Sequence, residues 1–222
     1  MRPMPRLLDI VHKFPLRLRR LGRHFSQFKF ASAPRWLLEF FLQILDVLGI
    51  GDLYDASASV VKRARKLTQQ EKQLATSIFG DSLPLEKIRV DERALLGPRQ
   101  GRFCYVSFYT INSWGGMSDA VFVHELVHIW QYHHLGVVYI PRALAAQWSR
   151  HGYDYGGAAA LHKAIAKGKY LLDFNYEQQA SIVEDYFRIK HGQRPMWSRL
   201  LTADLPVFEH FVNQLQYFAA QQ

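Results

Sequence analysis

The sequence predicts an α+β fold that is mostly helical and contains a small sheet. Three observations favour this class. Capping signals and apolar runs of helical length recur along most of the chain, only two segments have the composition of β-strands, and those two precede most of the helices. With 222 residues, of which 49% are hydrophobic, the chain can bury a substantial core. The prediction divides the chain into an N-terminal helical region, residues 1–66, and a main domain, residues 67–222.

Positive charge is concentrated at the N-terminus. The net charge is +9, but residues 1–30 hold eight basic residues against Asp9 alone, which leaves only +2 for the rest of the chain. The main domain is therefore not expected to bind nucleic acid specifically. The basic arm itself is either a solvated, flexible segment or a contact for a membrane surface, a partner protein or nucleic acid. No secretory signal peptide is expected, because the apolar stretch Leu7–Val11 is short and more basic residues follow it.

An apolar segment, Trp36–Ile50, follows the basic arm. Glu39 and Asp46 interrupt it, and it is shorter than the roughly 20 apolar residues that a membrane span requires. The segment predicts a buried or amphipathic helix. An interfacial helix behind the basic arm is the alternative, in which residues 1–50 contact a membrane surface.

The elements of the main domain follow in order. Thr68 and Glu71 have the spacing of a capping box, which predicts a helix over Gln69–Ile78. The strands are expected at Lys87–Val90 and, with an alternating pattern, at Phe103–Ile111. Further helical segments are expected at about Asp119–His134, Pro141–Ser149, Gly157–Lys167, Tyr176–Lys190 and Pro206–Ala220.

The sequence from Val123 to Trp130 carries the clearest chemical signal, an H-E-x-x-H pattern within a predicted helix. His124 and His128 are four residues apart, so both imidazoles project from one helical face and can bind a single metal ion. Glu125 lies next to them, where it can accept a proton from water. The one cysteine, Cys104, excludes both an internal disulfide and a cysteine-based zinc site. The pattern therefore predicts one zinc ion per chain, with histidine and oxygen ligands.

Two residues compete for the role of third ligand. Glu177 begins a predicted helix in which small residues at Ala180 and Ser181 permit close approach to the metal helix. His134 instead occupies the position of the third histidine in H-E-x-x-H-x-x-G-x-x-H, and Met196 would then form the Met-turn. That motif needs a glycine to bend the chain, and Gln131 stands in its place, which favours Glu177.

Other polar residues are expected to support this site. Gln131, Glu184 and Asp185 are candidates to hydrogen-bond the ligands. Tyr153 and Tyr155, between the two ligand-bearing helices, are candidates to stabilise an oxyanion, although either one can equally be a packing residue. The edge of the strand Phe103–Ile111 is a candidate surface for pairing with an extended substrate.

Several segments between Leu67 and Gly192 resemble a bacterial family of HExxH metallopeptidases that is associated with type VI secretion systems. The family includes stand-alone Vgr-related proteins and metallopeptidase domains at the C-terminus of VgrG spike proteins, and related HExxHxxQ domains occur with contractile injection systems. The segments that carry the resemblance are Leu67-Thr68 to Glu71, Ile78 to Asp81, Ile88 to Val90, Val123 to Gln131, and Asp173 to Tyr186.

The resemblance implies a zincin-like fold, zinc held by His124, His128 and Glu177, and Glu125 as general base. It further implies an antibacterial effector that acts on a protein or peptide, with the VgrG spike, other secretion components and an immunity protein as partners. Such an effector is made in the bacterial cytoplasm and delivered, without a signal peptide, to the periplasm of a target cell. The basic arm and Trp36–Ile50 lie outside the pattern of this family.

The function expected from these observations is metal-assisted hydrolysis of a peptide bond. A different class of protein, a metal-stabilised adaptor of a secretion machine, needs the ligands but has no use for Glu125. A membrane-surface protein is a third hypothesis, which depends on the basic arm and the apolar helix rather than on the metal motif.

Overall fold

The computed structural model describes residues 4–26, 33–54, 64–94, 98–101, 103–199 and 202–217 of the chain. These residues are mostly helical and include one small mixed sheet, which is consistent with the predicted α+β class. The helices are α1 (Met4–Ser26), α2 (Ala33–Val47), α3 (Gln69–Phe79), α4 (Pro98–Gly101), α5 (Asp119–Leu135), α6 (Tyr139–Gln147), α7 (Gly157–Ala166), α8 (Tyr176–Lys190) and α9 (Leu205–Tyr217). The strands are β1 (Arg65–Lys66), β2 (Arg89–Asp91), β3 (Tyr105–Ser107) and β4 (Thr110–Asn112). Short 3-10 turns occur at Leu85–Lys87, Leu171–Asp173 and Thr202–Asp204, and residues 50–54 are helical.

Helix α5 lies at the centre of the core. Its side chains are buried on nearly every side, and Leu126, Val127 and Ile129 are fully enclosed. Along one side it packs on α8, where Ala180 and Ser181 leave room for a close approach. Helix α9 covers α8, and the indole of Trp130 donates a hydrogen bond to the backbone of α9. Burial of this kind makes the helix a rigid platform for the polar residues that it carries.

Local sequence signals place the helix boundaries well. Thr68 and Glu71 form both hydrogen bonds of the expected capping box at the start of α3. Asn175 caps α8 in the same way, and α8 has the predicted bounds. Helix α5 ends at Gly136, whose positive φ of 82° suits a residue without a side chain. The predicted helix Pro206–Ala220 corresponds to α9, and its last three residues lie outside the described ranges.

The prediction of one strand over Phe103–Ile111 is wrong. The segment forms two strands, β3 and β4, joined by a two-residue turn at Phe108 and Tyr109. Phe108 has a φ of 56°, the backbone region that the first turn residue of a type II′ hairpin occupies and that glycine normally fills. An aromatic residue there gives no turn signal in the sequence, which is why the hairpin reads as a continuous strand.

The sheet has the strand order β1-β2-β4-β3, so β3 forms one edge. Strands β2 and β4 pair in parallel, and the other neighbours pair antiparallel. Strand β1 contains only Arg65 and Lys66, which have low β-propensity, and the sequence does not predict it. The edge position of β3 leaves one side of its backbone without a neighbouring strand in the part of the chain that is described.

The N-terminal basic segment is folded rather than flexible between residues 11 and 26. Helix α1 packs on α2, and Arg17, which is only 2% exposed, lies 2.5 Å from Asp52 and 3.4 Å from Asp46. Arg20 donates hydrogen bonds to two backbone carbonyls at the end of α5. The basic residues on this side of α1 therefore bind the protein itself. No helix within the described ranges is long and apolar enough to cross a membrane.

Replacement of Arg17 is expected to destabilise the protein by about 3 to 5 kcal/mol, because it leaves Asp46 and Asp52 buried with less compensating charge. We predict this loss for Arg17→Met in urea denaturation. Arg19, which is exposed on the same helix, provides the control, and Arg19→Met should change the free energy of unfolding by less than about 0.5 kcal/mol. Equal stability of the two variants would contradict the docked arrangement of α1.

Candidate metal centre

Two histidines of α5 and one glutamate of α8 meet where the two helices pack. The Nε2 atoms of His124 and His128 each lie 3.4 Å from Oε2 of Glu177. All three residues are buried, and their candidate ligand atoms lie within 4.8 Å of one another. Of the residues that the structure describes, these three form the one group of metal-ligating side chains.

The hydrogen bonds of the two imidazoles fix which nitrogen faces the cluster. Nδ1 of His124 lies 3.1 Å from Oε2 of Glu184, and Nδ1 of His128 lies 2.9 Å from Oε1 of Gln131. Both partner oxygens only accept hydrogen bonds, so Nδ1 carries the proton in each ring. The lone pairs of both Nε2 atoms are therefore directed at Glu177. This is how proteins orient the histidines that bind metal ions.

The residues that orient the two imidazoles are in turn fixed by hydrogen bonds and an ion pair. The amide of Gln131 donates to the carbonyl of Tyr176 and to Gln179, which fixes its oxygen towards His128. Arg188 binds Glu184 at 2.7 Å. The ligand orientation is thus determined by hydrogen bonds at each step, rather than by packing alone.

The cluster fits a metal ion by two tests. Oε2 of Glu177 is buried without a hydrogen-bond partner, although Oε1 of the same carboxylate accepts a bond of 2.8 Å from Gln147. A buried carboxylate oxygen without a partner is unfavourable unless a cation compensates it. The separations of 3.4 Å also match the edge of a tetrahedron with metal–ligand bonds of 2.0 to 2.1 Å, which is about 3.3 Å. Two imidazoles and a carboxylate suit zinc and related divalent metals.

The electrostatics of the site favour bound positive charge. Burial lowers the pKa of His124, but the carboxylates of Glu177 and Glu184 outweigh this effect and raise the pKa to about 10, so the ring favours positive charge on its Nε2 side, as a proton or as a metal ion. Burial raises the pKa of Glu125, more than the neighbouring histidines lower it. Oε2 of Glu125 is buried and has no hydrogen-bond partner. Glu125 therefore retains a free oxygen that is a stronger base than an ordinary carboxylate.

A cavity of about 590 Å³ opens onto the cluster. Glu125 and Tyr153 line it beside the three candidate ligands, with the edge strand β3 along one wall. The rest of its surface is mostly apolar and includes Tyr54, Phe108, Tyr139, Ile140, Ala143 and Leu144.

The two tyrosines proposed from the sequence have different surroundings. Tyr153 lines the cavity, and its ring lies 5.9 Å from that of His124. Burial raises the pKa of Tyr153, which keeps its hydroxyl protonated. The hydroxyl of Tyr155 instead donates to Asp185 at 2.7 Å. Tyr155 is therefore a packing residue here, as its alternative interpretation allowed.

The structure gives Asp185 partners other than the candidate metal ligands. Its carboxylate accepts hydrogen bonds from Tyr155 and from the backbone amides of Met196 and Trp197. It therefore holds the loop after α8, while the neighbouring Glu184 contacts the ligand His124.

His134 faces away from the cluster. Its Nε2 lies 2.9 Å from the carbonyl of Ser82, and its ring packs on Trp130. Helix α5 continues without a bend through Gln131, as expected from the absence of glycine there. Met196 is 61% exposed and does not lie beneath the cluster. The geometry therefore groups Glu177, and not His134, with the two histidines.

Some functional residues were not found from the sequence. Gln147, which binds Glu177, and Arg188, which binds Glu184, belong to no recognisable motif. Cys104 lines the cavity, and burial followed by the charge of Glu125 raises the pKa of its thiol to about 11. Gln147 and Glu177 are 30 residues apart, so no local pattern indicates their contact. Arg188 lies four residues after Glu184 on α8, and this spacing is the signal that could have indicated their ion pair.

Metal content distinguishes the two candidate third ligands. We expect about one metal ion per chain in the wild type and in His134→Gln, and a much lower content in Glu177→Gln, measured by elemental mass spectrometry after dialysis. Each change keeps the size and a hydrogen-bonding group of the side chain. Loss of metal from His134→Gln alone would overturn the assignment of Glu177.

The contact of Gln131 with His128 should be measurable in metal affinity. Gln131→Met removes the acceptor for Nδ1, so we expect the dissociation constant for zinc to rise about 10- to 100-fold in a chelator competition assay. Gln193→Met, on the surface after α8, is the control and should leave affinity unchanged. An unchanged affinity in Gln131→Met would show that packing alone orients His128.

Comparison with known proteins gives one relative of this chain. The type VI secretion system spike protein VgrG2b of Pseudomonas aeruginosa is 29% identical over 141 residues, which cover 57% of this chain and 13% of that protein. No family model matches the chain, and no solved structure matches it. The matched region is a small part of that spike protein.

Proposed function

We propose that this protein is a zinc-dependent metallopeptidase and that it acts as an antibacterial effector linked to type VI secretion. The observation that carries the enzymatic part is the free carboxylate oxygen of Glu125, which is buried at a cavity beside three side chains with metal-ligand geometry. A structural metal site needs ligands but no adjacent base.

His124, His128 and Glu177 are the residues that hold the ion in this proposal. When bound, zinc supplies a Lewis acid that polarises a peptide carbonyl and lowers the pKa of water. Gln131, Glu184 and Gln147 keep the three ligands in position through the hydrogen bonds described above. The pre-oriented ligands avoid a reorganisation cost when the ion binds.

Glu125 acts as the general base. Its carboxylate, which lines the cavity, accepts a proton from a water molecule there, and the raised pKa of the buried carboxyl suits this role. The same carboxyl then returns the proton to the leaving amine. The hydroxyl of Tyr153, kept protonated by burial, would donate to the oxyanion that forms when the peptide carbonyl is attacked.

The substrate is a peptide in extended conformation. Strand β3 lines the cavity, so an extended chain that lies along it would place its scissile bond near Glu125. The apolar side chains on α6 would receive an apolar side chain of the substrate.

The secretion part of the proposal depends on the similarity to a spike protein. The alignment covers only 13% of that relative. The delivery of this chain, its association with a VgrG spike and its neutralisation by an immunity protein are therefore proposals. Action in the periplasm of a target cell follows from the same proposal.

A non-catalytic adaptor is the competing function, because the relative is itself a spike component. Glu125→Gln separates the two. We expect this variant to keep its zinc and to lose at least about 100-fold in cleavage rate, measured by mass spectrometry of new termini in a peptide library derived from a bacterial proteome.

The control for this experiment is Glu86→Gln, a surface change that should leave cleavage unchanged. If the zinc-loaded wild type and Glu125→Gln both leave the library uncut, and both retain their biological effect in target cells, the enzymatic proposal fails and the adaptor is the better account.

A further inference from the structure

Helix α1 exposes its apolar side. Val11, Phe14, Leu18 and Phe25 are between 44% and 69% exposed, and their spacing of three, four and seven residues places them in one stripe along the helix. Globular proteins normally direct such a stripe towards the core.

The opposite side of α1 is basic and faces inward. Lys13, Arg17, Arg20 and His24 recur at the same helical spacing. Lys13 and Arg17 bind Asp52, and Arg20 binds carbonyls at the end of α5. The amphipathic helix is therefore inverted, with charge inside and hydrocarbon outside.

Helix α2 has the same inverted arrangement. Glu39, Gln43 and Asp46 are buried, at a spacing of four and three residues. Six large apolar side chains of α2 and of the residues after it are at least 43% exposed, while the other large apolar side chains of α2 are partly buried. The six are Leu37, Leu38, Phe41, Leu48, Ile50 and Leu53. The two neighbouring helices thus present an outer apolar surface, which we call the N-terminal apolar surface and define by these six residues and the four on α1.

The exposed charged side chains that are described between residues 11 and 54 are all basic. Glu39, Asp46 and Asp52 are the acidic residues whose side chains are described between residues 11 and 54, and each is buried against an arginine or lysine. Arg19 and Arg23 of α1 are exposed. The sequence of residues 1–30 adds further basic residues and only one acidic residue.

We propose that the N-terminal apolar surface binds a membrane surface rich in anionic lipid. An apolar stripe beside exposed cations is what a helix lying in the headgroup region requires, because the hydrocarbon enters the acyl boundary while the arginines contact lipid phosphates. An apolar surface of this extent is unusual on a protein without a binding partner. The acidic side chains described between residues 11 and 54 are all buried, which favours an anionic bilayer over a protein partner of mixed charge at this surface.

The test is co-sedimentation of the full-length protein with lipid vesicles. We expect binding to vesicles that contain phosphatidylglycerol, and weaker binding both to pure phosphatidylcholine vesicles and at high salt. Leu18→Glu and Phe41→Glu should each weaken binding by at least about tenfold, because each places a negative charge within the apolar surface. Leu172→Glu, which changes an exposed apolar residue elsewhere, should bind like the wild type.

A second pair of changes tests the electrostatic part. Arg19→Glu with Arg23→Glu should reduce binding to anionic vesicles at least about tenfold and should leave the thermal unfolding midpoint unchanged, since both residues are exposed. This variant keeps the proposal testable even if a change in the apolar surface impairs folding.

Three results would overturn the proposal. The first is no binding of the wild type to anionic vesicles at low salt. The second is unchanged binding in all of these variants. The third is a wild type that binds no vesicles but forms a dimer that Leu18→Glu dissociates, which would identify the surface as a contact between two copies of the chain.

Discussion

The close packing of α5 on α8 is the constraint on which the candidate metal centre depends. Small side chains on α8 let the two helices approach until Glu177 reaches both imidazoles of α5. The same contact brings Glu184, two turns further along α8, to the second nitrogen of His124. One helix pair therefore supplies both the ligands and part of the hydrogen bonding that orients them, and a change in the helix separation would disturb all of these contacts together.

Buried polar groups have two separate uses in this fold. At the metal centre, the polar side chains converge and leave single oxygens of Glu125 and Glu177 without a partner, which creates a site for a ligand. Between α1, α2 and the rest of the chain, Glu39 and Asp52 are instead satisfied by basic side chains. Buried charges are tolerated in both places for the same reason, since each has a neighbour of opposite charge or is placed to bind a cation.

Much of the fold and part of the site could be predicted from the sequence, where the determining contacts are local. The capping box at Thr68, the bounds of α8 and the spacing of His124 and His128 are determined by residues within one or two helical turns. The turn at Phe108 was missed because its backbone conformation is imposed by tertiary packing on a residue that does not favour it. The contact of Gln147 with Glu177 and the inward direction of the basic side of α1, which binds Asp52, could not be predicted. In both cases the partner lies more than 25 residues away in the sequence.

The N-terminal helices are joined to the body of the protein largely by charged groups. Separation of such an interface exposes less apolar surface than unfolding of the core does. The separation therefore contributes comparatively little to the heat capacity change of unfolding. The interface is also sensitive to acid. Burial alone would raise the pKa of Glu39, but hydrogen bonds from Arg142 and Arg35 lower it below 4.5, so the stability from this carboxylate is lost as the pH falls through that lowered value. Glu177 and Glu184, which are buried beside the histidines of α5, have lowered pKa values as well, so acid acts on both places where this fold buries carboxylates beside basic groups.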